Sequence, residues 1–206
     1  MKLVIIFLLM GIMACRGRNE AILNEERKPA GIDLKDTPTT SVFDKEVPLQ
    51  RENVIIIVAK PDTGTPTFEN EPYLKDFKDK MLQLFASKKN IFLATYFDIS
   101  HIGPLKRVFE IKQIQKKSAA LVSTHCDSES VANKQQCRDD IEMHFPMVID
   151  YDGQMYKALH ITPQIGTIGI RMIQKGKNVR IAPLKSRSGA EDAELVVNEL
   201  KMLESN

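Results

Sequence analysis

The sequence predicts an α/β domain: a mixed central sheet flanked by helices and closed by a C-terminal β-hairpin and helix. Three observations carry that expectation. The first is a pair of apolar, strand-like runs, NVIIIVA (53–59) and NIFLATYFD (90–98). Between them Leu74, Phe77, Met81, Leu84 and Phe85 recur at helical spacing. A strand–helix–strand order implies parallel pairing, because a parallel return needs a crossover. The second is Lys175-Gly176-Lys177 between two more strand-like runs, a tight-hairpin signal. The third is Ala193, Val196, Val197, Leu200 and Leu203, which mark one apolar face of a closing helix.

Taken in order, the chain begins with Lys2 and an apolar run, Leu3 to Met13, of the length of a secretory signal. A membrane-spanning helix needs about 20 apolar residues, so this run is too short to be one. Residues 16–50 are rich in Pro, Thr and charge and lack sustained periodicity. They predict a flexible tether, with the folded domain over 51–206. Val54 to Ala59 is continuously apolar and β-branched, as in a strand covered on both faces. Pro72 suits the first turn of the helix that follows, where its missing N–H is no loss. Leu105, Val108, Phe109 and Ile114 suggest the apolar face of a second helix opened by Pro104. Residues 119–127 fit a short strand or a helix end equally well. Residues 128–144 are polar helix formers with Ser128 as a candidate cap, and FPMVID (145–150) reads as a strand. Tyr151-Asp152-Gly153 is a turn signal and 154–161 a short helix. The hairpin strands span 165–174 and 178–185. Ser188-Gly189-Ala190-Glu191 resembles a cap-and-acid start for the last helix.

The bulk numbers are those of an ordinary folded domain. The chain has 206 residues, of which 43% are hydrophobic and 27% charged, and its net charge is +2. Without tryptophan, and with aromatics at 6%, it offers no stacking surface for bases, so no nucleic-acid partner is expected. Nothing calls for a cofactor.

Two resemblances refine this reading. Ile12-Met13-Ala14-Cys15 resembles the bacterial lipobox, in which the cysteine is lipidated and becomes the first mature residue. The resemblance implies a signal peptide over 1–14, a lipid on Cys15 and a membrane partner reached through that anchor. Arg16, rather than an acid, points to the outer membrane of a cell envelope that has one. The segments VIIIVAKP, ATYFDISHIGPLKRVFEIK, FPMVIDYDGQMYKALHI and IGIRMIQKGKNVRI resemble bacterial thioredoxin-like, redoxin-like proteins over roughly residues 52–204. Asp150, Gly153 and Ala158 match a D-x-x-G-x-x-x-x-A step of that family. The resemblance implies a thioredoxin fold.

The family's reactive sulfur is absent. Pro61 and Thr65 match the first two places of Pro-x-x-x-Thr-x-x-Cys, and Phe68 stands where the cysteine belongs. A phenyl ring is no redox nucleophile, and Thr63, Thr65 and Thr67 have no activating base in view. Arg171 is a loose match for the family's arginine. No Cys-x-x-Cys occurs.

With Cys15 assigned to lipid, Cys126 and Cys137 remain. Three readings stand open. They form a structural disulfide, stabilising by about 2–3 kcal/mol through an eleven-residue closure. They form an unconventional thiol–disulfide oxidoreductase pair. Or they join His125 and His144 as metal ligands. A continuous helix through both cysteines would hold them about 16 Å apart. Bonding therefore requires the chain to turn back between them. His101 and His160 read as ordinary packed or solvated residues. Lys175, Lys177, Arg180, Lys185 and Arg187 form a basic group that could meet anionic head groups. The expected function is a non-catalytic binding or scaffold module, meeting an envelope protein partner.

Overall fold

A computed structural model describes residues 30–61, 72–87, 91–127, 129–160, 168–176, 178–180 and 188–204. Among these residues six strands form one sheet: β1 (Ala30–Gly31), β2 (Asn53–Ala59), β3 (Phe92–Asp98), β4 (Met147–Asp150), β5 (Ile168–Gln174) and β6 (Asn178–Arg180). Among the described residues five helices accompany them: α1 (Pro72–Ser87), α2 (Pro104–Cys126), α3 (Val131–His144), α4 (Gln154–Ala158) and α5 (Gly189–Glu204). The strand order is β1-β6-β5-β2-β3-β4. Strands β2, β3 and β4 run parallel, whereas β5 is antiparallel to β2, and β6 to β5. A β–α–β unit extended by an antiparallel hairpin and a final helix is the thioredoxin-like plan. The fold class is as the sequence predicts.

Period-two alternation sorts the strands' side chains onto two faces. Ile55 and Ile57 point to a layer built from α1 and α5, with Phe77, Met81, Val196, Val197 and Leu200. Val54, Ile56 and Val58 point the other way, with Ala94, Tyr96 and Val148. The five-residue α4 supplies Met155 and Tyr156 to that second face but is too short to cover it.

The remaining cover corrects the expected tether. Leu34, Val47 and Leu49 are 6%, 1% and 1% exposed and belong to the second face, with Ile32 half-buried beside them. Ala30 and Gly31 pair with Val179 and Asn178 at one sheet edge. At the other edge, Val42 N–H donates to the Met147 carbonyl (2.8 Å). Between these points a small turn is closed by Thr40↔Glu46 bridging and by Lys45 and Phe43 N–H groups donating to Ser41 Oγ. Residues 30–50 therefore belong to the folded domain, as a strap across this face, rather than to a tether. The physical reason is that four isolated aliphatics, each two to thirteen residues from the next, cap the open face without helical or strand periodicity. Residues 1–29 lie outside the described residues.

Other expectations shift in detail. Residues 119–126 complete α2 as helix. Its buried stripe is Glu110, Ile114, Ser118, Val122 and Cys126, while Leu105, Val108 and Phe109 are 86%, 52% and 70% exposed. Ser130, not Ser128, occupies the cap position of α3. The Ser188 hydroxyl accepts the Glu191 N–H at 3.1 Å, as the cap-and-acid pattern predicts. The hairpin turn uses Lys175 and Gly176, both at positive φ (47° and 68°), which glycine adopts without strain.

Candidate functional site

The parallel strands β2, β3 and β4 end together, and their last residues bring charge to one buried place. Asp98 closes β3 and Asp150 closes β4, as directly paired neighbours in the sheet, and each is 1% exposed. Lys60, just past β2, places Nζ 3.6 Å from Asp98 Oδ2. Asp98 Oδ1 accepts the Ser100 N–H (2.8 Å). Asp150 accepts the Gln154 N–H on Oδ1 (2.9 Å) and the Met155 N–H on Oδ2 (2.8 Å), so it caps α4. Gly153 enters that helix at φ 66°, and a Cβ there would stand 3.3 Å from both Asp98 oxygens. Thus the Asp150–Gly153–Ala158 step has a structural use here: one carboxylate caps α4, and the glycine lets a second carboxylate pack behind it.

Burial raises the Asp150 carboxyl above the usual range; Asp98 adds to this, while the hydrogen bonds from Met155, Gln154 and Asp152 oppose it. Burial likewise raises the Tyr96 hydroxyl, with Asp150 contributing. Among the described residues Tyr96 Oη has no hydrogen-bond partner. His101 Nε2 donates to the Pro61 carbonyl (2.8 Å), and its buried Nδ1 finds no partner among the described residues. The Arg107 guanidinium donates to the carbonyls of Ile102 (2.7 Å) and Ser100 (2.9 Å), fixing the β3–α2 corner. The cluster can hold charge and order the corner. Among the described residues it contains no thiol.

The raised carboxyl has a signature in pH. Unfolded, Asp150 loses its proton near about pH 3.9; folded, it holds the proton to higher pH. Between those values the folded state binds more protons, so this group's contribution is largest below the unfolded value and is lost as pH rises through the folded one. The stability of the parent relative to Asp150→Asn should therefore fall as pH rises from about 4 towards neutrality. Paired urea unfolding curves at each pH check this; a difference that grows with pH contradicts it.

The cysteines lie elsewhere. Cys126 Sγ and Cys137 Sγ are bonded, with Cα atoms 5.8 Å apart, and the chain turns back between α2 and α3 as the bond requires. Cys126 is fully buried against Phe85, Ile141 and Phe145 in the main core, and Cys137 is half-buried. α2 starts at the Pro61 end of the sheet and runs 23 residues. That carries the disulfide about 33 Å along its axis, towards the start of β3. The metal alternative for His125, Cys126, Cys137 and His144 is not supported. Each sulfur is bonded to the other, and the His144 ring stacks on Phe92 (4.4 Å between centroids) and shares a hydrogen bond with the Ile91 carbonyl (3.0 Å). Among the described residues no group of three or more His, Cys, Asp or Glu is placed to hold a metal.

Thr63, Thr65, Thr67 and Phe68 lie outside the described residues, as do Lys177, Lys185 and Arg187. Cys15 lies outside them too. Lys175 is exposed. Arg171 pairs with Ile56 in mid-sheet and donates to the Ile170 carbonyl (3.0 Å). Sequence reasoning missed Lys60, Asp98 and Tyr96. The signal was present: charged or hydroxylated residues inside or at the end of apolar strand runs.

The chain matches no protein-family model and no curated protein. Among solved structures it is similar to BsSco, a member of the Sco family of cytochrome c oxidase assembly proteins, studied for a disulfide switch. The identity is 10% and the TM-score 0.46, over 87% of this chain and 94% of that one. It is also similar to a protein from Neisseria meningitidis described as a thioredoxin, at 12% identity and TM-score 0.41, over 88% and 91%. These likenesses transfer no residue role to this chain.

Proposed function

We propose that the chain is an exported protein, anchored to the cell envelope by lipid on Cys15, whose thioredoxin-like domain is a non-catalytic binding or scaffold module. One observation carries the non-catalytic reading. The two cysteines besides Cys15 are bonded to each other about a helix length from the Pro61 loop, and one of them is fully buried. Thiol–disulfide exchange needs an accessible sulfur and a thiolate. The oxidoreductase alternative through Cys126 and Cys137 is correspondingly weaker. The lipid anchor is supported by the Ile12–Cys15 pattern at the end of a short apolar run.

Two measurements test the two halves separately. The purified, unreduced domain should show no free thiol besides any contributed by Cys15, and should turn over neither peroxide nor insulin disulfides. Turnover that disappears in the Cys137→Ala variant would assign the chemistry to this pair and overturn the scaffold reading. Metabolic labelling with a fatty acid should mark the parent and not the Cys15→Ser variant. Equal labelling of both would remove the anchor and leave the domain's reading intact.

A further inference from the structure

We infer that the outward face of α2 is a docking surface for an anionic lipid bilayer. Leu105, Val108 and Phe109 are exposed on it. Among the described residues no other helix bares three large apolar side chains. With Lys112 and Lys116 they follow the spacing i, i+3, i+4, i+7 and i+11, which runs along one side of a helix. That side faces away from the buried stripe of Ile114 and Ser118. From Leu105 to Lys116 it extends about 17 Å, apolar in its first turns and cationic after them. A contiguous exposed apolar patch rimmed by polar side chains marks an interaction surface.

The exposed charge of this helix has one sign. Lys106, Lys112 and Lys116 are exposed, and among the described residues none of the three has an ion-pair partner. The one acid of α2, Glu110, is buried. It lines a cavity between α1 and α2 together with Asp79 and Lys117, off the outward stripe. An apolar tip beside exposed lysines is how an interfacial helix meets anionic head groups. The apolar side chains enter the acyl boundary, and the lysine stems lie along it with their charges at the phosphates. Two other occupants fit less well. A protein groove that takes a helix needs an apolar anchor at i+7, and Lys112 stands there. A second copy of the chain would set lysine against lysine, because a two-fold contact presents the same patch from both sides.

The inference goes beyond the scaffold reading and needs no lipid on Cys15, so each can fail alone. The test uses residues 16–206, which hold every residue of the described fold and lack Cys15. The probes are vesicles of phosphatidylcholine alone or mixed with phosphatidylglycerol. Co-sedimentation should show binding to the mixed vesicles and about tenfold weaker binding, or none, to phosphatidylcholine alone. Added salt should weaken the binding. Lys112→Gln combined with Lys116→Gln should weaken it about 25-fold, roughly fivefold for each charge. Phe109→Ser should weaken it about tenfold or more. All three are exposed helix positions, so the thermal midpoint should not fall. An environment-sensitive dye on Val108→Cys should shift to the blue on the mixed vesicles. The same dye on Leu195→Cys, an exposed apolar position of α5, should not. The proposal is overturned by equal binding to both kinds of vesicle, by undiminished binding of either variant, or by equal shifts of the two dyes. It is also overturned by a dimer that Phe109→Ser dissolves, which would assign the face to a second copy.

Discussion

A chain that begins at Arg51 will not hold the native fold. The strap removed would take with it Leu34, Val47 and Leu49, all buried on the second sheet face. Each buried aliphatic contributes about 1.5–3 kcal/mol, so the three approach the roughly 5–15 kcal/mol on which a whole domain stands. The truncation would also expose Val54, Ile56 and Val58, now fully buried on β2. Tyr96 and Tyr156 are buried on the same face, and the chain has no tryptophan. Their near-ultraviolet circular dichroism band therefore reports this face directly and should collapse in the truncated chain. A milder variant guards against simple failure to express: Leu49→Ala should cost about 2–5 kcal/mol in denaturant unfolding. A truncated chain with the parent's thermal midpoint and tyrosine band would show the strap to be dispensable.

The second large effect concerns the disulfide. Replacing Cys126 and Cys137 together by alanine should lower stability by about 2–3 kcal/mol, the loop-closure value for eleven residues. For a domain of this size that is a fall of roughly 5–10 °C in midpoint. Alanine is preferred to serine at position 126, where a hydroxyl would be buried at zero exposure among Phe85, Ile141 and Phe145. Reduction of the parent with excess dithiol should reproduce the shift. An unchanged midpoint in both experiments would mean that α3 is held by packing alone.

The parts of the fold that sequence revealed are those with a period. The β2 and β3 runs, the apolar stripe of α1 ending at Phe85, the hairpin around Gly176 and the capped start of α5 each repeat a local rule, and each begins within three residues of its expected place. The strap escaped because Leu34, Val47 and Leu49 are separated by turns, and their partners are strands far along the chain. The face of α2 was misread for a related reason. Leu105, Val108 and Phe109 have helical spacing, but burial depends on what stands opposite, and the three are 86%, 52% and 70% exposed. The cysteine pair was legible as a bond that needed a reversal in the chain, which the break between α2 and α3 supplies. The charged corner was not. Asp98 and Asp150 are 52 positions apart in sequence and meet only because β3 and β4 pair in parallel.

The strap also sets an order of events. Residues 30–49 are made before every other described element, and emerge before them if the chain is threaded N-terminus foremost. Yet Val42 bonds to Met147, and Ala30 to the level of Val179. Closing contacts of such sequence separation is slow, because loop entropy must be lost before they form. The strap thus cannot complete its seat until partners as late as Met147 and Val179 have been made. Until the final hairpin exists, a sheet face bearing Val54, Ile56 and Val58 lies bare. The interval between synthesis and seating is the period in which this chain is most open to aggregation or to a chaperone.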